Sequence, residues 1–548
     1  MRDDRLLAWI LSLLAGCAGA LAIFPVPVLL GVGDYWQDPH GFVSGSWGDT
    51  ATAVSGYTAF AREAWQWPLF HISSLGGATG TNVIFTDSTP LLALLGRVFF
   101  QLTGEVAPLY GPWAGLSVVG MALASTALVR SLGARTWAAG LASALIGVSM
   151  PALLARWGHL SLMGQWVIPL ALAAYVRLHQ QARLGFGRAI LTVTGLSALA
   201  LLIHPYLFLM VAAVLFTVPL QAALTRRMRA LETLSVIGGA AAALAAILGA
   251  MGYFSQASLE PARGFGSFSM NLLSPFLPQM SGVLPLGPDF ILDGTGGQYE
   301  GFSYLGVGLL LLLLLIRRRL VGVGWTSHPF LLAVMLGFTM LAVSNQVYAA
   351  EFHIFTVPLP DAVLQLLGVV RASGRLIWLP LYLLAGFTVA LAARLPWAQP
   401  ILLLAAALQW AEAAPLRGRV WATMMRSEAA ALDSGAFVAA LAGVDRVVLD
   451  PPWMCMPDAP EWFYHVGIQV QLMTSRAGRE TNTVYAARGR AECTIPALSK
   501  RMLLLQLHTE KPEHIPDECQ ASAEITACST ALDPALLRRL TRVRTDFE

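Results

Sequence analysis

The chain has 548 residues, of which 56% are hydrophobic and only 12% are charged. Soluble globular domains carry about 25% charged residues, so this composition excludes a soluble protein and predicts one that crosses a membrane several times. The net charge of +3 is too small to indicate a nucleic-acid partner.

Apolar runs long enough to cross a bilayer as helices recur over the first three quarters of the chain. The shorter run 89–103, which carries Arg97, predicts a re-entrant or interfacial helix instead. The expected fold is mostly α, with a polytopic helical membrane domain over residues 1–416 and a first outer loop at 31–107. The eleven predicted spans are 6–30, 108–130, 137–156, 161–180, 188–207, 207–224, 232–254, 302–316, 328–346, 375–394 and 398–416.

Arginines form clusters that precede the first span or follow alternate spans. Basic loops stay on the cytoplasmic side, and every cluster lies on that side if the N-terminus is cytoplasmic. We therefore expect a multi-pass protein of the bacterial cytoplasmic membrane whose C-terminal segment is periplasmic. The clusters are Arg2 and Arg5; Arg130 and Arg135; Arg177, Arg183 and Arg188; Arg226, Arg227 and Arg229; Arg317, Arg318 and Arg319; and Arg394.

The tail 417–548 predicts a small periplasmic α+β domain. "VDRVVLD" and "RMLLLQLHT" are typical of buried strands, and "APEWFYHVGIQVQLMTSRAG" and "DPALLRRLTRV" of helices. Four cysteines in this segment fit two disulfides in an oxidising compartment, with three connectivities open. The alternatives are a zinc site or free thiols, which the lack of a CxxC pair disfavours. These cysteines are Cys455, Cys493, Cys519 and Cys528.

A lone acid, Asp49, stands among small residues in "GSWGDTATAVSGYTAF", in the first outer loop. A carboxylate above the bilayer can act as a general base towards a hydroxyl, and the alternative is an N-cap of the helix that follows. Asp87 in "FTDSTP" is either the cap of the 89–103 helix or a second acid.

The stretch "AREAWQWPLF", which follows Asp49 in the chain, predicts an amphipathic interfacial helix. Its tryptophans suit either sugar stacking or the aromatic belt of the membrane.

Arg371 and Arg375 are spaced i and i+4 just before the tenth span, so in a helix they share one face. Paired guanidiniums bind phosphate well. The alternative is an anchor at the membrane surface, or a salt bridge to Glu351 or Asp361.

Three histidines lie near helix ends on the predicted outer side: His159, His204 and His353. A histidine at a helix end is often a structural hydrogen-bond donor. Ionisable groups at membrane level are costly and usually functional, so their shared side strengthens the case for a functional role of the group, although the structural role is favoured for each one alone.

Several stretches resemble a bacterial family placed near the GT-C superfamily, membrane glycosyltransferases that use polyprenyl-phosphate sugars. They are "WGDTATAVSGYTAF", "GTNVIFTDSTPLLALL", "RWGHLSLMGQWVIPLAL", "EGFSYLGVGLLLL", "RASGRLIWLPLYLL" and "LDPPWMC". The resemblance implies that Asp49 is the base or a metal ligand.

The same resemblance implies that Arg371 and Arg375 bind the donor phosphate, and we add further candidates for that site and for an acceptor or sugar site. The phosphate candidates are Arg371, Arg375, His159, His204 and Arg263, and the sugar candidates are Trp47, Tyr57, Trp65 and Glu260. The first loop has no DD, DE or DxD pair, so no cofactor is assigned and a divalent cation, Mg²⁺ or Mn²⁺, stays open.

The leading hypothesis is a glycosyltransferase that moves a sugar from a polyprenyl phosphate to a hydroxyl of an envelope glycan, lipid or protein. A transporter or flippase of a lipid-linked glycan is the first alternative. Transporters tend to have internal repeats and polar midplane helices, and neither is evident here. A non-catalytic envelope assembly protein is the second alternative.

Overall fold

A computed structural model describes residues 4–32, 34–37, 48–254, 264–285, 292–320, 324–425, 430–456, 459–488, 493–510, 512 and 514–545. Its α-helices are α1 Arg5–Ile23, α2 Val26–Leu30, α3 Asp34–Gln37, α4 Asp49–Arg62, α5 Pro90–Thr103, α6 Tyr110–Ser131, α7 Trp137–Val148, α8 Pro151–Leu154, α9 Val167–His179, α10 Phe186–Ile203, α11 Pro205–Leu224, α12 Ala230–Met251, α13 Val307–Leu320, α14 Pro329–Val343, α15 Asp361–Leu367, α16 Trp378–Ala392, α17 Ala398–Glu412, α18 Ala414–Met425, α19 Ser434–Gly443, α20 Glu461–Arg476 and α21 Pro534–Leu540.

Eight helical stretches among the described residues are long and apolar enough to cross a membrane. They are Arg5–Ile23, Tyr110–Ser131, Trp137–Leu154, Leu160–His179, Phe186–Ile203, Pro205–Leu224, Ala230–Met251 and Ser373–Ala392. A helix bonds its own backbone groups internally, which an apolar surrounding requires. The result is an α-rich protein of the membrane type.

The other three predicted spans correspond to shorter helices, so a count of eleven is not confirmed. α13, α14 and α17 have 14, 15 and 15 residues. The apolar run at 302–316 begins with non-helical residues, and Gly306, with φ 86°, precedes the start of α13. Hydropathy reports how apolar a run is, and it does not show where the backbone leaves helical geometry within that run.

The span-length helices have two chemically different ends. Arg227 donates to the carbonyl oxygen of His179 at 2.5 Å, and Gln180 donates to the carbonyl of Ser131 at 2.9 Å. Arg319 donates to the carbonyl of Arg394 at 2.9 Å. The arginine-rich loops therefore meet one another at one end, which we call the basic end.

Two short hairpins and one larger sheet make up the β structure. The strands are β1 His71–Ile72, β2 Thr81–Asn82, β3 Gln346–Ala349, β4 Phe352–Thr356, β5 Arg446–Asp450, β6 Glu480–Thr481, β7 Met502–Leu507, β8 Cys519–Ala521 and β9 Ile525–Cys528. β1 pairs with β2 and β3 with β4, both antiparallel.

The C-terminal domain is built on a five-stranded sheet of order β6-β5-β7-β9-β8. β5 is parallel to β6 and β7, whereas β9 is antiparallel to β7 and β8. The two predicted strands and two predicted helices of this segment correspond to β5, β7, α20 and α21. The cysteines form two disulfides, Cys455–Cys493 and Cys519–Cys528.

This C-terminal domain packs directly on the first loop. Helix α4 lies between α5 and α20, and every residue from Thr50 to Ala61 is buried. The predicted interfacial helix at 61–70 is wrong, because α4 ends at Arg62 and residues 63–70 are not helical. The carboxylate of Glu63 instead accepts the backbone N–H groups of Ser73 and Ser74 at 2.9 Å each.

Candidate active site

A cluster of acids, histidines and arginines lies at the end of the helices opposite the basic end. His159 precedes the stretch Leu160–His179, whose last residue contacts Arg227 at the basic end. A helical stretch of this length spans about 30 Å. His204 lies between two span-length helices, and Arg375 is in the first turn of a third. The cluster is therefore at the edge of the apolar region.

Asp49 is the first residue of α4. The cap position belongs to Gly48, with φ 85°, and no side chain caps this helix. The carboxylate is therefore free for other contacts. It lies 3.4 Å from Nε2 of His159, and the hydroxyl of Tyr485 acts to lower its pKa.

Gly56, on the same helix, is a position where the first loop requires a small residue. A Cβ there would come within 2.0 Å of Oγ1 of Thr86 and 2.6 Å of Oγ of Ser88. The hydroxyl of Ser88 donates to the carbonyl of Ala53 at 2.7 Å. The missing side chain thus lets the loop around Asp87, and not a ligand, approach α4.

Asp87 does not cap α5, which begins at Pro90 after Thr89. Its carboxylate lies 3.0 Å from Nδ1 of His159 and 3.3 Å from Nε2 of His204, and accepts the hydroxyl of Ser161 at 3.1 Å. His159 therefore bridges Asp49 and Asp87 through its two ring nitrogens.

The tautomer of His204 follows from its position as the N-cap of α11. Its Nδ1 accepts the backbone N–H of Tyr206 at 3.1 Å. The ring proton is then on Nε2 and faces Asp87. His204 therefore has a structural role at the helix end, as an acceptor and not as the expected donor, and it also belongs to the cluster.

Glu300 is the third acid, and it binds two arginines. Arg375 donates from Nε and Nη2 at 2.8 Å each. Arg156 donates from Nη1 to the same carboxylate and from Nη2 to the carbonyl of Tyr299 at 2.9 Å. The salt-bridge partner of Arg375 is therefore Glu300, and neither Glu351 nor Asp361.

The predicted pairing of Arg371 with Arg375 on one helical face is wrong. Ala372, at φ −82° and ψ 57°, interrupts the helical geometry between them. Arg375 is buried, whereas Arg371 is exposed, with its guanidinium carbon 5.9 Å from the centre of the Phe268 ring. Among the described residues, Arg371 has no ion pair.

The two acids that contact His159 have different proton affinities. Burial raises the pKa of Asp49 above its ordinary value, although the charge of His159 opposes this effect. Burial acts in the same direction on Asp87, but hydrogen bonds and charge from His159 and His204 outweigh it and lower the pKa. Asp49 is thus the stronger base, and Asp87 stays ionised and orients His159.

Burial and neighbouring charges also determine the direction of the pKa shifts of His159, His204 and Glu300. Burial opposes the charging of His159, but Asp49 and Asp87 outweigh it and raise the pKa of the imidazole. Burial dominates at His204 and lowers its pKa. Burial would raise the pKa of Glu300, but Arg156 and Arg375 lower it well below its usual range.

Three other predicted site residues lie away from this cluster. Tyr57 is buried and donates its hydroxyl to the carbonyl of Ala107 at 2.6 Å. The ring of Trp65 lies 3.9 Å from the guanidinium carbon of Arg97. His353 is exposed and contacts the hydroxyl of Thr356 at 2.8 Å.

Trp47, Glu260 and Arg263, also predicted for the site, lie outside the described residues. Arg156, Glu300 and Tyr485 were not predicted for it. Arg156 and Glu300 do occur in the sequence stretches that resemble the GT-C-like family, which is the signal that could have found them.

The donor set does not fit a divalent cation. Within the described part of the chain, no group of three or more His, Cys, Asp or Glu side chains is arranged to hold a metal. The carboxylates of the cluster already face His159, His204, Arg156 and Arg375.

The fold and the cluster define an α-rich protein with membrane-length helices and a charged site at one end of them. The chain belongs to the DUF6311 family, described as a domain of unknown function, whose model matches residues 13–414. That range contains Asp49, Asp87, His159, His204 and Glu300, together with both site arginines, but not Tyr485. No curated protein matches the sequence.

Proposed function

We propose that the protein is a GT-C-type membrane glycosyltransferase that uses a polyprenyl-phosphate sugar as donor. The carrying observation is a continuous chain of contacts from Asp49 to Arg375. Asp49 lies 3.4 Å from His159, which lies 3.8 Å from Glu300, which Arg375 binds at 2.8 Å. An acid from the first loop and a guanidinium from a late helix therefore share one site.

The cluster has an acidic half and a basic half, which suits this reaction. The acidic half consists of Asp49, Asp87 and His159. The basic half consists of Glu300 and two arginines, Arg156 and Arg375, so positive charges exceed negative ones there. An acceptor hydroxyl needs a base, and a departing phosphate needs positive charge. Stabilisation of developing charge by preorganised groups is usually the largest catalytic contribution.

In the proposed reaction Asp49 takes the proton of the acceptor hydroxyl, whose oxygen forms a bond to the anomeric carbon of the sugar. The bond from that carbon to the phosphate oxygen breaks, and polyprenyl phosphate leaves with the electron pair. Arg371, exposed beside the cluster, contacts the leaving phosphate, and Arg156 and Arg375 add positive potential behind it. The raised pKa of Asp49 improves it as a base near neutral pH.

We place this site on the periplasmic face, with the envelope supplying the acceptor. The arginine-rich opposite end then lies in the cytoplasm, as the positive-inside rule requires. The disulfides of the C-terminal domain suit the oxidising side of the membrane.

The test uses the purified full-length protein, a panel of labelled polyprenyl-phosphate hexoses and pentoses, and an envelope extract. Asp49→Asn should slow transfer by about 10²–10⁴-fold. Asp361→Asn is the matched control, because Asp361 is exposed and outside the cluster, and it should transfer at the parental rate. Equal transfer by Asp49→Asn and the parent would refute the assignment of the base. Movement of the labelled lipid across vesicles without any transfer would instead favour the transporter.

A further inference from the structure

A segment of the C-terminal domain, residues 481–487, packs on the first loop beside the acidic half of the cluster. Thr481 donates its backbone N–H to Ser74 at 2.9 Å and its carbonyl accepts from Gly76 at 2.9 Å. At the other end, Ala487 donates to the carbonyl of Phe85 at 2.7 Å. This segment is therefore fixed to the loop that carries Asp87.

Tyr485, in the middle of this segment, lies beside the start of α4, because a Cβ on Gly48, the residue before Asp49, would come within 3.6 Å of Cδ1 of the Tyr485 ring. Its backbone N–H donates to Oε1 of Gln471 at 2.8 Å, and Gln471 is itself 3.5 Å from the hydroxyl of Thr52 on α4. Burial raises the pKa of Tyr485, and the charge of Asp49 adds to this effect. The hydroxyl therefore keeps its proton at neutral pH, so towards Asp49 it can act only as a hydrogen-bond donor.

Trp453 packs against the ring of Tyr485, and a disulfide fixes the turn that begins with Trp453. The ring centres of Trp453 and Tyr485 are 4.8 Å apart, and Trp453 donates its backbone N–H to Thr483 at 3.0 Å. Trp453 begins the short 3₁₀ turn that ends at Cys455, and Cys455 is bonded to Cys493. The bridge thus joins the turn that carries Trp453 to the chain that follows Tyr485.

We propose that Tyr485 is a positioning residue that fixes the Asp49 carboxylate, and that Trp453 and the Cys455–Cys493 bridge hold Tyr485 in place. This proposal deepens the proposed function and rests on it for its catalytic meaning. It also assigns the C-terminal domain a part in the site, although this domain lies outside the matched family region.

The first measurement does not require activity. Carbodiimide labelling of Asp49 in the full-length protein is followed by mass spectrometry across a pH series, because protonated and ionised carboxyls differ in reactivity. Tyr485→Phe keeps the ring and removes the hydroxyl. Since that hydroxyl stabilises the charged carboxylate, the labelling midpoint should move to higher pH. The other groups around Asp49 stay unchanged: His159, Asp87, Arg375, Tyr299 and Glu300.

The second measurement is the pH profile of sugar transfer. Below the midpoint, Tyr485→Phe should transfer about tenfold more slowly than the parent, and the deficit should shrink as the pH rises. A purely structural loss would lower the rate equally at all pH values. Cys455→Ser with Cys493→Ser should shift the midpoint in the same direction as Tyr485→Phe.

Cys519→Ser with Cys528→Ser is the control, because that disulfide joins β8 and β9 within the sheet. It should leave the midpoint of Asp49 unchanged. A parental midpoint in Tyr485→Phe overturns the positioning role. A shifted midpoint in a protein that transfers no sugar supports the positioning role and refutes the proposed function, so the two failures are distinguishable.

Discussion

Arg375 binds the carboxylate of Glu300 through two parallel hydrogen bonds of 2.8 Å, and both side chains are buried. Removing one partner of a buried ion pair leaves the other charge uncompensated. Glu300→Ala should therefore destabilise the protein by about 3–5 kcal/mol, measured by unfolding in detergent.

The control for this buried pair is Asp445→Ala. Asp445 and Arg501 form a similar two-bond pair at 2.7 and 2.9 Å, but more than half of each side chain is exposed. Exposed pairs contribute little, so this variant should unfold like the parent. Equal losses in the two variants would contradict the special role of burial at Glu300.

His159 should make stability depend on pH. Its pKa is raised in the folded protein, so its contribution is complete below the ordinary histidine pKa of about 6.5 and is lost as the pH rises through the folded value. The stability difference between the parent and His159→Gln should be largest at or below pH 6 and should shrink towards alkaline pH. Melting temperatures across this range measure it.

His353→Gln is the matched control for His159, since His353 is exposed and contacts only the hydroxyl of Thr356 and the ring of Tyr348 among the described residues. Its unfolding measures the effect of losing an exposed imidazole outside the cluster. A constant difference for His159→Gln would show that its imidazole is not held by Asp49 and Asp87.

Gly48→Ala should weaken the packing of the C-terminal domain on α4. Gly48 has φ 85°, and a Cβ there would come within 2.5 Å of Cδ1 of Ile468. The backbone strain alone costs about 1–3 kcal/mol, and the clash adds to it. Gly104→Ala is the control, because Gly104 has φ 76° but no atom within 4 Å of the added Cβ. Unfolding should show a larger loss for Gly48→Ala, and limited proteolysis should detect a loosened domain.

Accessibility to a membrane-impermeant thiol reagent should distinguish the two ends of the helices. In a background lacking the free Cys17, Glu105→Cys should react in intact cells. Arg183→Cys, in a cluster that follows a span on the basic side, should react only after the cells are permeabilised. Both residues are exposed. The reverse pattern would place the proposed active site in the cytoplasm.

The sequence predicts which residues lie together better than it predicts which of them form ion pairs or hydrogen bonds with one another. Asp49, Asp87, His159, His204 and Arg375 were all predicted for one site, because each lies in a loop or at a helix end on the same predicted side and because the resemblance to GT-C enzymes implies such a site. In the structure they form one cluster. Their roles in catalysis stay a prediction.

The partners of the charges could not be predicted in the same way. For Arg375 we considered acids of its own loop, Glu351 and Asp361, whereas the acid that binds it is Glu300. Pairing between loops depends on how the helices pack, and hydropathy carries no information about that arrangement. The same reason explains Tyr485, which reaches the site only because α20 docks on α4.

The docking of α20 on α4 has a consequence for biogenesis. Asp49 leaves the ribosome before seven of the eight span-length stretches, whereas Tyr485 emerges after all of them have been made. A nascent chain can therefore insert these helices before Tyr485 exists, and a product truncated before residue 481 would lack the Tyr485 side chain that we propose positions Asp49. Completion of translation, and transfer of the tail to the same side as the site, would then determine when the molecule matures.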